Sequence, residues 1–190
     1  DASEKAVKQK RVELISSMVF AIPLFYLAMG EMMGAPVPPA VSGMNGMMNL
    51  ALTELLLCIP ILFICRHYFI GGFRSLLHGA PNMDSLIALG SAASFAYSVV
   101  SLYQMANAFV AGDVAAAHQA MHDMYFESAG LILALITLGK FFEARAKGHT
   151  TGAISALMNL APKTAILVKD GVEQEVPAET VVVGDVLVVR

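Results

Sequence analysis

Four apolar runs, each long enough to cross a lipid bilayer, constrain this chain more than any other feature. Spanning the ~30 Å hydrocarbon layer takes about 20 apolar residues at ~1.5 Å of helical rise each. Leu14–Met33, Leu50–Ile70, Ser85–Ala106 and Tyr125–Phe142 qualify as spanning helices. Pro23 and Pro60 lie inside the first two, which membrane helices tolerate because neighbours satisfy the freed carbonyls. The first run is too long for a cleaved signal, and no convincing small-residue cleavage site follows it. Composition agrees: 57% of the 190 residues are hydrophobic and 14% charged, against about 25% charged in soluble domains.

Charge orients the runs. All 12 lysines and arginines precede the first run, lie at the far end of the second or just beyond it (Arg66, Arg74), or lie from Lys140 onward at the far end of the fourth. The loops at 34–49 and 107–124 contain none. The positive-inside bias therefore puts both termini in the cytoplasm. A net charge of −3 suggests no nucleic-acid partner. Cys58 and Cys65 fall on one side of a single helix, too far apart to form a disulfide with each other. They read as buried thiols, with transient metal contact the lesser alternative.

Small residues in the third run (Gly90, Ser94 and Ser98, with Ala92 and Ala96) predict close approach of another helix. The four helices therefore belong to a larger bundle. After the fourth run, "RAKGHTTGAISALMNLAP" reads as an amphipathic helix that leaves the membrane without a break. "KTAILVKDGVEQEVP" reads as a hairpin turning at Asp170–Gly171 and closing at Pro177. "VVVGDVLVVR" is a further β segment with a turn or bulge at Gly184–Asp185 and no later strand to pair with. The expected fold is mainly α, a polytopic membrane protein whose four transmembrane helices lead into the truncated start of a β-rich cytoplasmic domain. An unpaired apolar strand is a liability that intact proteins avoid, so the chain reads as a fragment.

Several residues carry chemistry. In "GAPNMDSLIALG", Asn82 or Asp84 can cap the third helix, while Met83 puts a soft sulfur at its mouth. In "IGGFRSLLHG", Gly71 and Gly72 each weaken a helix by ~1 kcal/mol and permit a kink. Phe73, Leu76 and Leu77 then form an apolar face opposite Arg74 and His78, suited to the membrane interface. The basic side could receive an acidic partner; a plain juxtamembrane linker is the alternative. Glu143 lies near the cytoplasmic end of the fourth run, facing a cavity or cation, or pairing with Lys140 or Lys147. Glu127 sits where a helix N-terminus favours acids. Glu54, inside the second run, reads as buried polar packing or a water contact. The external loops hold six methionines in "MGEMMGAPVP" and "GMNGMMN", then His118, Met121, His122 and Met124. Thioether and imidazole suit Cu(I), although such loops are also simply flexible and apolar. No phosphate-cradling loop, serine–histidine–acid set, CxxC pair or HExxH motif occurs.

The stretches "GGFRSLLHGAPNMDSLIALGSAASFAYSV", "YFESAGLILALITLGKFFEARAKGHTTGAISALMNLAPKTA", "VKDGVEQEVP" and "VVVGDVLVVR" resemble the heavy-metal P-type ATPases, most closely their copper-exporting branch. The resemblance covers about residues 66–190; the first 65 fit by hydropathy only. It implies that 1–13 is a cytoplasmic segment and that 14–70 holds two class-specific transmembrane helices. Residues 71–82 would be a kinked platform, 83–146 the first two core helices, and 147–190 the incomplete start of an actuator domain. It further implies that Met83 and Glu143 belong to the cytoplasmic uptake site for Cu(I), and that Glu127 lies on the exit path. Gly71, Gly72 and Arg74 would form the surface that docks a copper chaperone or the protein's own amino-terminal metal-binding domain. ATP and Mg2+ would serve only the full-length parent, a cell-membrane translocase. The family's Cys-Pro-Cys site, phosphorylated aspartate, nucleotide pocket, Thr-Gly-Glu-Ser loop and CxxC domain are not in this sequence. Rival readings are an Ag(I) pump, a zinc, cadmium or cobalt pump of the same superfamily, and a non-enzymatic membrane metal-binding module.

Overall fold

The structure is a computed structural model that describes residues 2–30, 32–159, 164–169 and 172–188; the side chains of 2–3, 44–45, 149–159, 169 and 179 lie outside that description. Among the described residues six α-helices are seen: α1 (Ala2–Gly30), α2 (Gly43–Ile64), α3 (Arg66–Leu77), α4 (Met83–Ala111), α5 (Val114–His122) and α6 (Phe126–Asn159). Strands β1 (Thr164–Lys169), β2 (Val172–Pro177) and β3 (Leu187–Val188) follow. The chain divides into two compact units, residues 1–144 and 145–190. The first contains the helices from α1 to α5 and most of α6. Four stretches are long and apolar enough to cross a membrane: Glu4–Gly30, Gly46–Ile64, Met83–Ala111 and Val114–Gly148.

The second span ends earlier than its hydropathy suggests. Arg66 and His67 close the apolar run, and the helix breaks at Cys65 (φ −91°, ψ 14°) before restarting as α3. Gly71 and Gly72, expected to be the kink, are both helical. The location of Gly72 reflects packing instead. A Cβ on Gly72 would lie 2.7 Å from the Asp84 carbonyl carbon and 2.9 Å from Ala88 Cβ, and closer still to the Asp84 carbonyl oxygen. Gly72 is thus the point where the α3 and α4 backbones meet. Ser85 Oγ locks the contact by donating to the Gly72 carbonyl at 2.8 Å, and Asn82 Nδ2 donates to Ser75 Oγ at 3.0 Å. Gly71 is not constrained in this way, since its nearest neighbour, Asp84 Oδ2, would be 3.6 Å from an added Cβ.

Asn82 caps α4 with a capping box: Ser85 N–H donates to Asn82 Oδ1 at 3.0 Å, and Asn82 N–H donates to Ser85 Oγ at 3.2 Å. The helix ends at Gly112, whose left-handed φ of 74° only glycine adopts without strain. Asp113 then caps α5 by accepting from Ala116 N–H at 3.0 Å. This helix was not anticipated within the external loop.

Close packing on α4 does occur, but its buried face runs through Ser85, Ala88, Ser91, Ser98, Ser101 and Met105. Of the expected stripe, Ser98 is buried, Gly90, Ala92 and Ser94 are half-buried, and Ala96 is exposed. Hydroxyls join the helices: Ser91 Oγ donates to the Ala129 carbonyl at 2.9 Å, Tyr125 N–H to Ser98 Oγ at 2.7 Å, and Ser101 Oγ to the Asp123 carbonyl at 3.2 Å. In lipid, such contacts and tight packing drive association, because apolar burial between helices gains little over lipid contact. The helices α1, α2 and α6 converge at Gly130, where a Cβ would come within 3.0 Å of both Leu24 and Ile61. Cys58 and Cys65 are fully buried, and Cys65 Sγ lies 3.6 Å from Thr137 Oγ1.

The second unit contains a three-stranded antiparallel sheet in the order β2-β1-β3. The final β segment does find a partner: Leu187 pairs with Leu167 and Val188 with Ile166. Its approach is a turn at Gly184, closed by Val182 N–H donating to Asp185 Oδ2 at 2.9 Å. The expected Asp170–Gly171 turn lies outside the described residues.

Candidate functional site

The sequence-expected site residues occupy two ends of the helical unit. At the first turn of α4, Met83 is 51% exposed, directly after the cap that Asn82 and Ser85 make. Near the far end of the same unit's α6, the Glu143 carboxylate pairs with Lys140 Nζ at 3.1 Å, with its side chain 46% exposed. The capping reading of Asn82 and the ion-pair reading of Glu143 therefore both hold. Arg74 is exposed on the last turn of α3, with His78 Nδ1 2.7 Å from its carbonyl. Of the two glycines assigned to docking, Gly72 is buried in the α3–α4 contact and Gly71 is half-buried beside it.

At the other end, Glu127 is buried in the first turn of α6 and accepts from Ser128 Oγ at 2.8 Å. It faces a cavity of about 170 Å³ shared with Glu54, Met29, Met121, His122 and Met124. Glu54 was given no role from sequence. A single acid inside an apolar run was the available signal, but its neighbour lies 73 positions later on another helix. Among the described residues, no three His, Cys, Asp or Glu side chains could together hold a metal ion. A cation held here would need thioether ligands as well.

A further cluster links α1 to α3. Glu13 bridges Lys10 Nζ at 2.7 Å and His67 Nε2 at 3.3 Å, beside an open groove of about 940 Å³ lined by Lys5, Lys8 and Arg66 among others. Burial lowers the His67 pKa, and Lys10 adds to that; Glu13 and Asp84 pull the other way without overcoming it. Burial also raises the Tyr68 phenol, whose buried hydroxyl has no hydrogen-bond partner among the described residues.

The chain is 35% identical over 188 residues to a copper-exporting P-type ATPase of Staphylococcus saprophyticus, covering 98% of this chain and 22% of that protein. Nearly the whole chain is thus similar to one part of a copper P-type ATPase. A second relative, named "Probable copper-importing P-type ATPase A", comes from Enterococcus hirae and is 35% identical over 185 residues, 97% of this chain and 23% of its own length. A copper-exporting P-type ATPase of Staphylococcus epidermidis is 32% identical over 189 residues, again 98% of this chain and 22% of the relative. No protein-family model matches the chain. Similarity to these copper ATPases thus runs through the first 65 residues too, where sequence reading had only hydropathy. The chain spans between a fifth and a quarter of the curated relatives it matches. Kinship and the four bilayer-length helices together make this a multi-pass membrane protein.

Proposed function

We propose that the chain is the leading membrane portion of an ATP-driven Cu(I) export pump with both termini in the cytoplasm. The observation that carries this is kinship along 98% of the chain with proteins named as copper P-type ATPases, two of the three described being exporters. The one-sided distribution of basic residues supports the orientation.

In this reading Met83 offers Cu(I) a thioether at the inner mouth, and Glu143 supplies the negative charge that offsets a cation entering low dielectric. The capping box fixes the backbone on either side of Met83 while leaving its flexible side chain free to reach the ion. Arg74 and the exposed side of α3 receive an acidic donor, either a copper chaperone or the parent's own metal-binding domain. Gly72 serves that surface indirectly, by letting α3 lie flat against α4. Glu127 takes part in release to the outside. ATP and Mg2+ act in the full-length parent, on parts of the pump that this chain does not contain. Exposed apolar residues such as Val19, Ile22, Leu56, Leu86 and Val110 face lipid or the parent's remaining helices.

The test is ion selectivity of ATP hydrolysis by the full-length parent in proteoliposomes. Stimulation by Cu(I) or Ag(I), with Zn(II), Cd(II) and Co(II) inactive, is the expected result. Stimulation by a divalent ion alone would replace the copper reading with the divalent-pump reading. The Enterococcus relative's name favours a second direction, import, which vectorial transport measurements separate from export.

A further inference from the structure

Packing does not explain the position of Glu54. The residue is 7% exposed, and among the described residues its carboxylate has no hydrogen bond or ion pair. It lines the same cavity as Glu127, which is also 7% exposed but has Ser128 as a donor. An unpaired charged acid within a membrane helix is costly, and a second one facing the same space adds repulsion. A proton on one of the two carboxyls offsets this in the empty site, and a cation between them can take the proton's place. The cavity, about 170 Å³, has room for an ion and a few waters, each water occupying ~30 Å³ in the liquid. The side chains lining it also include four thioethers, from Met29, Met32, Met121 and Met124, the His122 imidazole and the Tyr125 phenol. Soft donors beside hard, charged ones make a mixed set that attracts a soft monovalent cation by charge yet binds it loosely. Loose binding is what release requires.

We infer that Glu54 is a second carboxylate of the release-side cation site and acts together with Glu127. This rests on the exit-path reading of Glu127 given above and adds a residue on a different helix. The two carboxylates supply charge from α2 and α6, and the methionines supply the sulfur that makes the site selective for a soft ion. Glu54 is then a ligand to the cargo ion rather than a packing residue, and its removal weakens the site without altering uptake at Met83.

The experiment uses the full-length parent in lipid nanodiscs, held outward-open by beryllium fluoride and titrated with Ag(I) as a redox-inert probe. Glu54→Gln and Glu127→Gln should each weaken Ag(I) binding at least tenfold. The double variant should bind Ag(I) more weakly than either single one, since both carboxylates serve the same ion. Glu54→Asp, which keeps the charge, should stay within threefold of wild type. Unchanged affinity in Glu54→Gln with weakened affinity in Glu127→Gln would overturn the role of Glu54 and leave the exit-path reading standing. Unchanged affinity in both would overturn both. If Glu54→Gln does not fold, the Ag(I)-induced infrared difference spectrum of Glu127→Gln decides: a remaining perturbed carboxylate band supports Glu54, and its absence, with Ag(I) still bound, refutes it.

Discussion

Replacing Gly72 by alanine separates two accounts of the double glycine. In a helix interior the change should stabilise by ~1 kcal/mol, because alanine loses less backbone entropy than glycine on folding. Here the new methyl would sit 2.7 Å from the Asp84 carbonyl carbon and 2.9 Å from Ala88 Cβ. The first of these neighbours is helix backbone and cannot swing away. Reaching ordinary contact requires α3 and α4 to part by about an ångström, which also stretches the 2.8 Å bond from Ser85 Oγ to the Gly72 carbonyl. Overpacking of this kind costs about 1–3 kcal/mol, and weakening a buried hydrogen bond adds about 1 kcal/mol. After the helical gain, Gly72→Ala should lose about 1–3 kcal/mol. Gly71→Ala meets only Asp84 Oδ2 at 3.6 Å and should gain up to about 1 kcal/mol. Thermal unfolding in detergent micelles, with proteolysis in the 66–82 stretch as a local readout, measures the pair. Equal effects of the two substitutions would refute the packing argument and return both residues to a shared hinge.

Three further outcomes follow from local geometry. Asn82→Ala should cost about 1 kcal/mol of stability, because it removes the acceptor for Ser85 N–H and the bond to Ser75; an unchanged unfolding midpoint would contradict the cap. Burial holds the His67 pKa below its ordinary value, so the unfolded chain takes up the proton first, and the stability due to this residue should fall as pH drops below about 6.5. Comparing wild type with His67→Gln from pH 8 to pH 5 checks the sign, and greater relative stability of wild type at pH 5 would reverse it. In the full-length parent, Met83→Ala and Glu143→Gln should each weaken the apparent affinity for Cu(I) in ATPase assays by about tenfold or more, equivalent to ~1.4 kcal/mol. Unchanged activation curves would remove both from the uptake site.

What was legible in the sequence follows the range of the interactions. Helix existence was readable because a bilayer demands about 20 apolar residues in a row, and the Asn82 cap because its partner, Ser85, is three residues away. Likewise the β1–β2 pairing, with Thr164 opposite Pro177, came from one local hairpin pattern. The break at Cys65 was not readable, since the apolar run and the glycines pulled the expected kink six residues later. Gly72 shows why: flexibility is a property of the residue alone, whereas close approach depends on Asp84 and Ala88 across the interface. The buried face of α4 was misplaced for the same reason, because Ser91 and Ser101 are selected by the carbonyls of Ala129 and Asp123. Glu54 and Glu127 share a cavity only through tertiary packing of α2 against α6, which no local pattern encodes.

The most direct test of the central claim is Cu(I) movement itself, in sealed vesicles containing the full-length parent with its cytoplasmic face outward. Addition of ATP should drive Cu(I) into the vesicle lumen, and Met83→Ala should slow that accumulation at limiting Cu(I). Cu(I) driven the other way, or no ATP-dependent movement at all, would contradict export by this protein.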